Sequence, residues 1–413
     1  MNPSPDAPAH LAALVGQSVN AIDTPALVID LDTMERNLTR MADFARKHGL
    51  RLRPHAKMHK SATLALLQMQ HGAVGVCVQK TAEAEALADG GVTDIYISNE
   101  IIAPAKLRRV ALLAHRLGEA GGRLAIAVDS LEGITRLGAE MDAHWQDTGL
   151  PAAKRDASGD AVRIPINVFV EIDVGQGRCG ARPGEAAVAL AQAVVAQPSM
   201  HFSGLQAYHG RAQHLRSPTE RLAAIRNAAD AVQRTRALIE AAGIPVELIT
   251  GAGTGTFALE AASGVWGELQ VGSYLFMDGD YARNARDTAQ PAFEHALFIK
   301  SHVISVSADR AVVDAGHKSH AIDSGLPVVA TLPGQQAWGY DNGGDEHGIL
   351  RTAESGPDAA PVALPTLGET VWLIPGHCDP TVNLHDWLIG VRGGLEQGRV
   401  EQLLRVDARG ALT

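Results

Sequence analysis

The chain has 413 residues, of which 46% are hydrophobic and 20% are charged, as in an ordinary globular protein. Its formal net charge of −10 argues against nucleic acid and against an anionic membrane as the main partner. The sequence shows neither an apolar run of membrane-spanning length nor a signal-peptide pattern, so we expect neither. Three cysteines, Cys77, Cys179 and Cys378, are too few for a disulfide scaffold and favour a cytoplasmic location.

The first predicted elements are a strand at residues 25–30 and an amphipathic helix that follows it. Asp32 and Glu35 have the spacing of a capping box, so we expect Asp32 to cap this helix. Gly49 ends the helix, whose apolar face carries Met34, Leu38, Met41 and Phe44.

From residue 50 onward, strands and helices alternate regularly. Strands are predicted at residues 50–53, 74–79, 94–98, 124–129, 164–172, 202–208, 246–250 and 268–276. They are short, apolar and rich in β-branched residues, which suits a parallel sheet covered on both faces. Eight such strands make a closed (β/α)8 TIM barrel of typical size. A doubly wound open sheet is the structural alternative.

The pattern changes after about residue 282, where helical periods fade. Short strands separated by turn residues are predicted at residues 302–306, 310–314, 370–374 and 387–392. We therefore predict an α/β protein of two domains. The barrel covers residues 33–281, and a mostly β domain combines residues 1–32 with residues 282–413. The polar residues 150–162 are expected to form an exposed loop.

The segment from Arg53 to Lys60 follows the first barrel strand, and the carboxyl ends of barrel strands are where chemistry takes place. A lysine there can form an imine with a carbonyl compound if its amine is partly neutral. Nearby cations such as Arg53 and Lys60 could lower the pKa of Lys57 in this way. A solvated basic loop is the alternative interpretation.

Glycine-containing segments occur at the last two barrel strands, at residues 250–256 and 271–274. Such loops let backbone N–H groups converge on an anion, and the loops after strands seven and eight form the usual phosphate site of this fold. Two tight turns without a ligand are the alternative.

Two further barrel strands end in polar residues. Arg178 lies in a glycine-rich turn after strand five and could reach a phenolate or carboxylate. Tyr208 and His209 end strand six, with His214 beyond them as a candidate general base. An ordinary surface arginine and a structural histidine are the alternatives.

His377 and Asp379 lie two residues apart in a segment predicted to be extended, so their side chains can point the same way and that of Cys378 points away. An imidazole and a carboxylate make half of a site for a divalent ion, with waters in the other positions. A chance His-x-Asp sequence is the alternative, and His385 is expected to be structural.

Together these motifs resemble the D-threonine aldolase and D-serine dehydratase-like family of fold-type III pyridoxal phosphate (PLP) enzymes, which share an alanine racemase-like fold. The resemblance covers residues 24–410. It implies that Lys57 is the Schiff-base lysine, that His214 acts on the substrate hydroxyl, and that His377 and Asp379 bind the metal. The residues that it implies for cofactor binding are Lys57, Arg178, Tyr208, Gly253, Thr254, Gly255, Gly272 and Ser273.

Within this family, His-x-Asp resembles the aldolase branch with Mn²⁺ or Mg²⁺, whereas His-x-Cys is typical of the dehydratases. The resemblance implies an aldolase that cleaves D-threonine-type β-hydroxy amino acids to glycine and an aldehyde, and that acts as a homodimer. The alternatives on this scaffold are a β-hydroxyaspartate aldolase and a D-serine or D-3-hydroxyaspartate dehydratase. A non-catalytic PLP-binding protein and a metal hydrolase on a barrel are alternatives from other classes.

Two residues depart from the family pattern. Ala252 stands where glycine is usual, and His317 stands where leucine is usual. If the loop that carries His317 lines the pocket, the usual substrate preference of the family does not transfer to this chain.

Overall fold

The computed structural model describes residues 7–147, 164–287, 290–331, 338–352 and 363–413, so the predicted loop at residues 150–162 lies outside it. The strands among these residues form two sheets, one of eight strands and one of nine. The first strand, β1 (Ala26–Asp30), belongs to the larger sheet. This agrees with the prediction that it lies outside the barrel.

The eight-stranded sheet is a barrel of parallel strands. Its strands are β2 (Arg51–Leu52), β3 (Val76–Val78), β4 (Asp94–Ile97), β5 (Arg123–Val128), β6 (Ile166–Glu171), β7 (Met200–Ala207), β8 (Leu248–Gly251) and β9 (Glu268–Leu269). The barrel closes between β2 and β3, where the Val74 N–H donates to the Leu52 carbonyl at 2.8 Å and the Cys77 N–H donates to the Pro54 carbonyl at 2.8 Å. Closure confirms the barrel and rules out the doubly wound open sheet.

The last barrel strand is shorter than predicted. Strand β9 ends at Leu269, and the predicted strand residues Ser273 to Leu275 form a 3-10 turn instead. The backbone therefore leaves the barrel wall after Leu269, and Gly272 and Ser273 lie at the barrel mouth.

The nine-stranded sheet has the order β13-β14-β11-β10-β1-β16-β17, with β15 paired to β10 and β12 paired to β15. Its remaining strands are β10 (Leu297–Val306), β11 (Ala311–Val313), β12 (Val328–Val329), β13 (Trp338–Asn342), β14 (Gly348–Thr352), β15 (Thr370–Ile374), β16 (Trp387–Arg392) and β17 (Arg399–Arg405). Strand β1 pairs antiparallel with β10 and parallel with β16, so the N-terminal strand is central in this sheet. The domain boundaries at residues 33 and 281 stay a prediction.

The described α-helices are α1 (Ala9–Ala12), α2 (Leu31–Lys47), α3 (Ala62–Gln70), α4 (Thr81–Asp89), α5 (Pro104–Glu119), α6 (Leu131–Asp147), α7 (Glu185–Val195), α8 (Pro218–Ala241), α9 (Phe257–Ser263), α10 (Gly279–Ala282) and α11 (Cys378–Val382). In this described set, every helix is too short or too polar to cross a lipid bilayer.

The prediction that Asp32 caps helix α2 was wrong. Asp30, the last residue of β1, caps the helix by accepting a 3.1 Å hydrogen bond from the Thr33 N–H. Asp32 lies inside the first turn, where its carboxylate binds the Arg392 guanidinium at 2.9 Å. The helix starts earlier than the capping-box spacing of Asp32 and Glu35 predicts, because the Asp30 carboxylate at the end of β1 already caps it.

The prediction that Arg53 acts on Lys57 was also wrong. Arg53 is buried inside the barrel, 2.5 Å from Asp94 and 3.1 Å from Glu268. Above these charges, the buried amides of Gln206 and Gln270 hydrogen-bond each other at 2.7 Å. The barrel interior is therefore filled below its mouth, and the open space lies at the carboxyl ends of the strands.

Candidate active site

A cavity of about 490 Å³ opens at the carboxyl ends of the barrel strands and is partly covered by the loop before α11. It brings together almost all of the predicted site residues: Lys57, Arg178, Tyr208, His214, Gly253, Thr254, Gly272, Ser273, His377 and Asp379. Gly255 is the exception, because its N–H points away and donates to the Gln213 side chain at 2.9 Å. These residues come from both sheets, so the cavity depends on how the two sheets meet.

Lys57 extends into the cavity from the 3-10 turn Ala56–Met58, which directly follows the first barrel strand. Its Nζ lies 3.4 Å from Oδ2 of Asp379. Burial lowers the pKa of Lys57, but the Asp379 carboxylate raises it, and the net result is a pKa above the ordinary lysine value. The expectation that neighbouring cations make this amine neutral was therefore wrong in the free protein, because a carboxylate is its nearest partner.

Lys60 has a structural role. It is buried, its backbone is in the left-handed region with φ of 53°, and its Nζ lies 2.7 Å from the buried Glu83 carboxylate. Lys60 also bonds the backbone of Ala408, so it fastens the C-terminal segment to the turn that carries Lys57.

His55 lies under Lys57, and the sequence interpretation gave it no role. Its Nδ1 accepts the Lys57 N–H at 3.3 Å, and its Nε2 lies 3.0 Å from the Gln79 amide. Burial and the nearby Lys57 charge hold the pKa of His55 well below its ordinary value. A neutral imidazole thus caps the turn. The sequence signal that could have identified His55 is its position two residues before Lys57.

The two glycine loops lie side by side at the cavity. The hydroxyl of Thr254, after β8, accepts a 3.0 Å hydrogen bond from the Tyr274 N–H, after β9. Gly253 packs against Gln213, since a Cβ built there would lie 2.5 Å from the Gln213 Oε1. The small residues let two backbone segments approach the same space, as an anion-binding site requires.

The structure shows why glycine suits position 252. Ala252 has φ of 69°, in the left-handed region, where a Cβ costs roughly 1–2 kcal/mol. Its methyl group is fully buried in the core beneath the loop. The loop therefore keeps the backbone shape that glycine would adopt freely.

His214 is held by a buried carboxylate that sequence analysis missed. His214 ends the 3-10 turn Gly210–His214, and its Nδ1 lies 2.5 Å from Oδ2 of Asp280 in α10. Asp280 also lies 2.5 Å from both Arg216 and Arg283. Burial raises the pKa of Asp280, but the bonds from Arg216, His214 and Arg283 bring it below its ordinary value. An ionised Asp280 favours the tautomer with the proton on Nδ1 of His214, which leaves Nε2 free to accept a proton.

His377 and Asp379 lie together at the cavity, although not on an extended segment as predicted. His377 precedes α11 and Asp379 is in its first turn, with 3.8 Å between Nε2 of His377 and Oδ1 of Asp379. Nδ1 of His377 lies 2.7 Å from Asp323. Cys378 points away as predicted, and its buried thiol donates to the Met277 carbonyl at 3.2 Å.

The Asp379 carboxylate has spare capacity to bind a ligand. Its buried Oδ1 has no hydrogen-bond partner in the part of the chain that the structure describes. No group of three metal-binding side chains occurs among those residues. A divalent ion would therefore take two ligands from this chain and complete its shell with water or substrate.

Two other histidines lie outside the cavity. His317 is half-exposed, and its Nε2 lies 2.7 Å from Asp345. Its side chain is not among those that line the cavity of its own chain. His385 bonds the Ser319 carbonyl at 2.8 Å, which agrees with the structural role expected for it.

Comparisons with known proteins agree with this geometry. The family model for the alanine racemase N-terminal domain matches residues 29–280, and a serine dehydratase domain model matches residues 296–391. The chain is 40% identical to the 3-hydroxy-D-aspartate aldolase of Paracoccus denitrificans (strain Pd 1222), over 97% of this chain and 95% of the relative. It is 41% identical to the D-threonine aldolase of an Arthrobacter species, over 96% and 95%.

The D-threonine aldolase structure from Filomicrobium marinum superposes with a TM-score of 0.86, at 44% identity and over 97% of this chain and 99% of that one. The chain therefore belongs to the D-threonine aldolase and D-serine dehydratase-like family of fold-type III PLP enzymes, in its aldolase branch. Membership implies a carbon–carbon lyase that uses PLP and acts on D-amino acids.

The structure predicts different roles for two neighbouring lysines. Lys57→Ala should abolish the visible absorbance of bound PLP and the adduct trapped by borohydride, because the only amine assigned to the cofactor is gone. Lys60→Ala should keep the adduct but lower the free energy of unfolding by roughly 3–5 kcal/mol, since it leaves Glu83 buried without a partner. Spectra and thermal unfolding measure both effects. A borohydride-stable adduct in Lys57→Ala would contradict the assignment.

Proposed function

We propose that this protein is a PLP- and divalent-metal-dependent aldolase that cleaves D-β-hydroxy-α-amino acids of the D-threonine type to glycine and an aldehyde. The observation that carries the proposal is the position of His214. It is held by Asp280 in the same cavity as Lys57 and the His377–Asp379 pair. The activities named for the D-threonine and 3-hydroxy-D-aspartate aldolases support the same reaction.

The cavity residues fit PLP. Lys57 offers the amine, the loops of Gly253 and Gly272 suit the phosphate, and Arg178 and Tyr208 would flank the ring. When bound, PLP supplies a sink for the electron pair that the broken Cα–Cβ bond leaves on the glycine carbon.

His214 supplies the base. Its Nε2 takes the proton from the β-hydroxyl of the substrate while Asp280 holds Nδ1–H and stabilises the cationic ring. The hydroxyl oxygen then forms a carbonyl as the Cα–Cβ bond breaks, so the aldehyde leaves. A proton returned to Cα completes glycine.

The residues also fit a divalent ion. His377 and Asp379 would hold it, and the orphaned Oδ1 of Asp379 supports this role. A carboxylate and an imidazole suit a hard ion such as Mn²⁺ or Mg²⁺. Such an ion would make the hydroxyl more acidic.

A homodimer is part of the proposal. The loop that holds Asp323 beside His377 exposes Ile322 and Leu326 by 46% and 39%, and strand β12 after it exposes Val328 by 52%. Neighbouring exposed apolar groups are typical of surfaces that a second subunit covers.

The reaction class is tested by its products. With D-threonine, the wild-type protein should release equal amounts of acetaldehyde and glycine, because the Cα–Cβ bond breaks. A dehydratase would instead release ammonia and a keto acid from the same substrate. Aldehyde, glycine and ammonia are measured in one reaction mixture, and ammonia without glycine would contradict the proposal.

Metal removal should stop turnover without releasing the cofactor. A chelator, or the double variant His377→Ala with Asp379→Ala, should lower kcat by at least about 100-fold. Added Mn²⁺ should restore the chelated wild type but not the variant. His317→Ala removes an imidazole outside the cavity and serves as the matched control. Full turnover in the chelator would end the metal proposal.

Asp280→Asn should lower kcat roughly 100-fold with little change in KM, because the amide no longer holds His214 in the right tautomer. Asp386→Asn removes another carboxylate that pairs with an arginine, Arg409, and is the control. Initial rates give kcat and KM separately. An equal loss in the two variants, or a change in KM alone, would refute this role of Asp280.

A further inference from the structure

The 3-10 turn Gly210–His214 presents two side chains to the cavity, and the proposed function uses only one of them. Arg211 and His214 are three residues apart, and residues i and i+3 eclipse each other in a 3-10 helix. Both line the cavity, whereas Ala212 and Gln213 between them are fully buried on the other side. Arg211 therefore stands directly beside the base.

In the described part of the chain, Arg211 is a cation without a carboxylate partner. Lys57 has Asp379 at 3.4 Å, and His214 has Asp280 at 2.5 Å. For Arg211, no carboxylate lies within 4.0 Å in the described ranges of the chain. An exposed guanidinium that faces a cavity with no counter-ion is available to an anionic ligand.

The backbone under Arg211 is fixed in place. The Gly210 N–H donates to the Gln176 side chain at 2.8 Å. The buried Gln213 amide donates to the His209 carbonyl at 3.2 Å and to the Thr256 hydroxyl at 2.7 Å. Because the turn is held from both sides, a ligand that binds Arg211 has to order the arginine side chain but not the backbone beneath it.

Resting on the proposed function, we propose that Arg211 binds an anionic group on Cβ of the substrate, so that the enzyme prefers D-β-hydroxy amino acids with a distal carboxylate. In the proposed reaction, His214 contacts the hydroxyl on Cβ. Because Arg211 lies on the same face of the same short turn as His214, its guanidinium reaches the other substituent of Cβ rather than the cofactor. The aldehyde product is then an anionic 2-oxo acid such as glyoxylate.

Arg178 serves a different region. Its charge acts on Lys57 and on Tyr208, the two residues assigned to the cofactor amine and ring. Arg211 acts instead on His209 at the start of its own turn. Both guanidinium groups belong to exposed residues, but they act on different groups and so serve different parts of the cavity.

The first test compares substrates. The ratio of kcat/KM for 3-hydroxy-D-aspartate to that for D-threonine is measured for the wild type, Arg211→Gln, Arg211→Lys and Arg234→Gln, using both Cβ isomers of the former. The ratio should fall about tenfold in Arg211→Gln, and Arg211→Lys should keep part of it. Arg234→Gln, which removes an exposed charge on α8, should leave the ratio unchanged. An unchanged ratio in Arg211→Gln, whatever the absolute loss, would overturn the proposal.

The second test needs no turnover. D-Aspartate and D-asparagine have nearly the same shape and differ in distal charge, and their binding to the PLP-loaded protein is followed by the absorbance of the cofactor. The wild type should bind D-aspartate more tightly, and Arg211→Gln should remove this preference. Equal binding by the wild type would refute the role of Arg211. A wild type that prefers D-aspartate but releases no aldehyde would refute the proposed function alone.

Discussion

The contact between Lys57 and Asp379 is the point on which the site depends. Lys57 follows the first barrel strand, whereas Asp379 belongs to a short helix attached to the nine-stranded sheet. Asp278, between the two sheets, accepts the Cys378 N–H at 3.0 Å and so fixes the helix start over the barrel mouth. Neither sheet contains a complete site, so the relative placement of the sheets decides the position of the amine and of the metal-binding pair.

Shared carboxylates hold the reactive groups in place. Asp280 binds His214, Arg216 and Arg283 together, and each of these cations limits how far the carboxylate can rotate. The imidazole is thereby aligned before any substrate arrives, and such alignment is what a general base requires. Asp379 has fewer partners than Asp280. One of its oxygens lies beside Lys57, and the other has no hydrogen bond in the described structure. The first carboxylate orients a neighbour, and the second is available for a ligand.

Strand order and the lysine motif could be predicted from the sequence because both are local patterns. Short apolar runs gave eight barrel strands, and the end of the first strand located Lys57. The partner of His214 could not be predicted, because Asp280 lies 66 residues away and only the fold brings the two together. Arg53 was misassigned for a related reason: its burial depends on Asp94 and Glu268, which come from other strands. The left-handed backbone at Ala252 likewise follows from the surrounding core rather than from the residue itself.

The chain order of the nine-stranded sheet has a consequence for synthesis. Strand β1 pairs with β16, whose residues are made more than 350 positions later, and the Ala62 N–H is held by Asp407 at 2.7 Å. Domains generally begin to fold while the chain is emerging from the ribosome. Here the barrel can form early, but the first strand gains its neighbour β10 only after the barrel residues have been made, and its neighbour β16 later still. The segment just after Lys57 also receives its contacts from Asp407 and Ala408 at this late stage, so a nascent chain without these residues can have a barrel but lacks the contacts that fasten this segment.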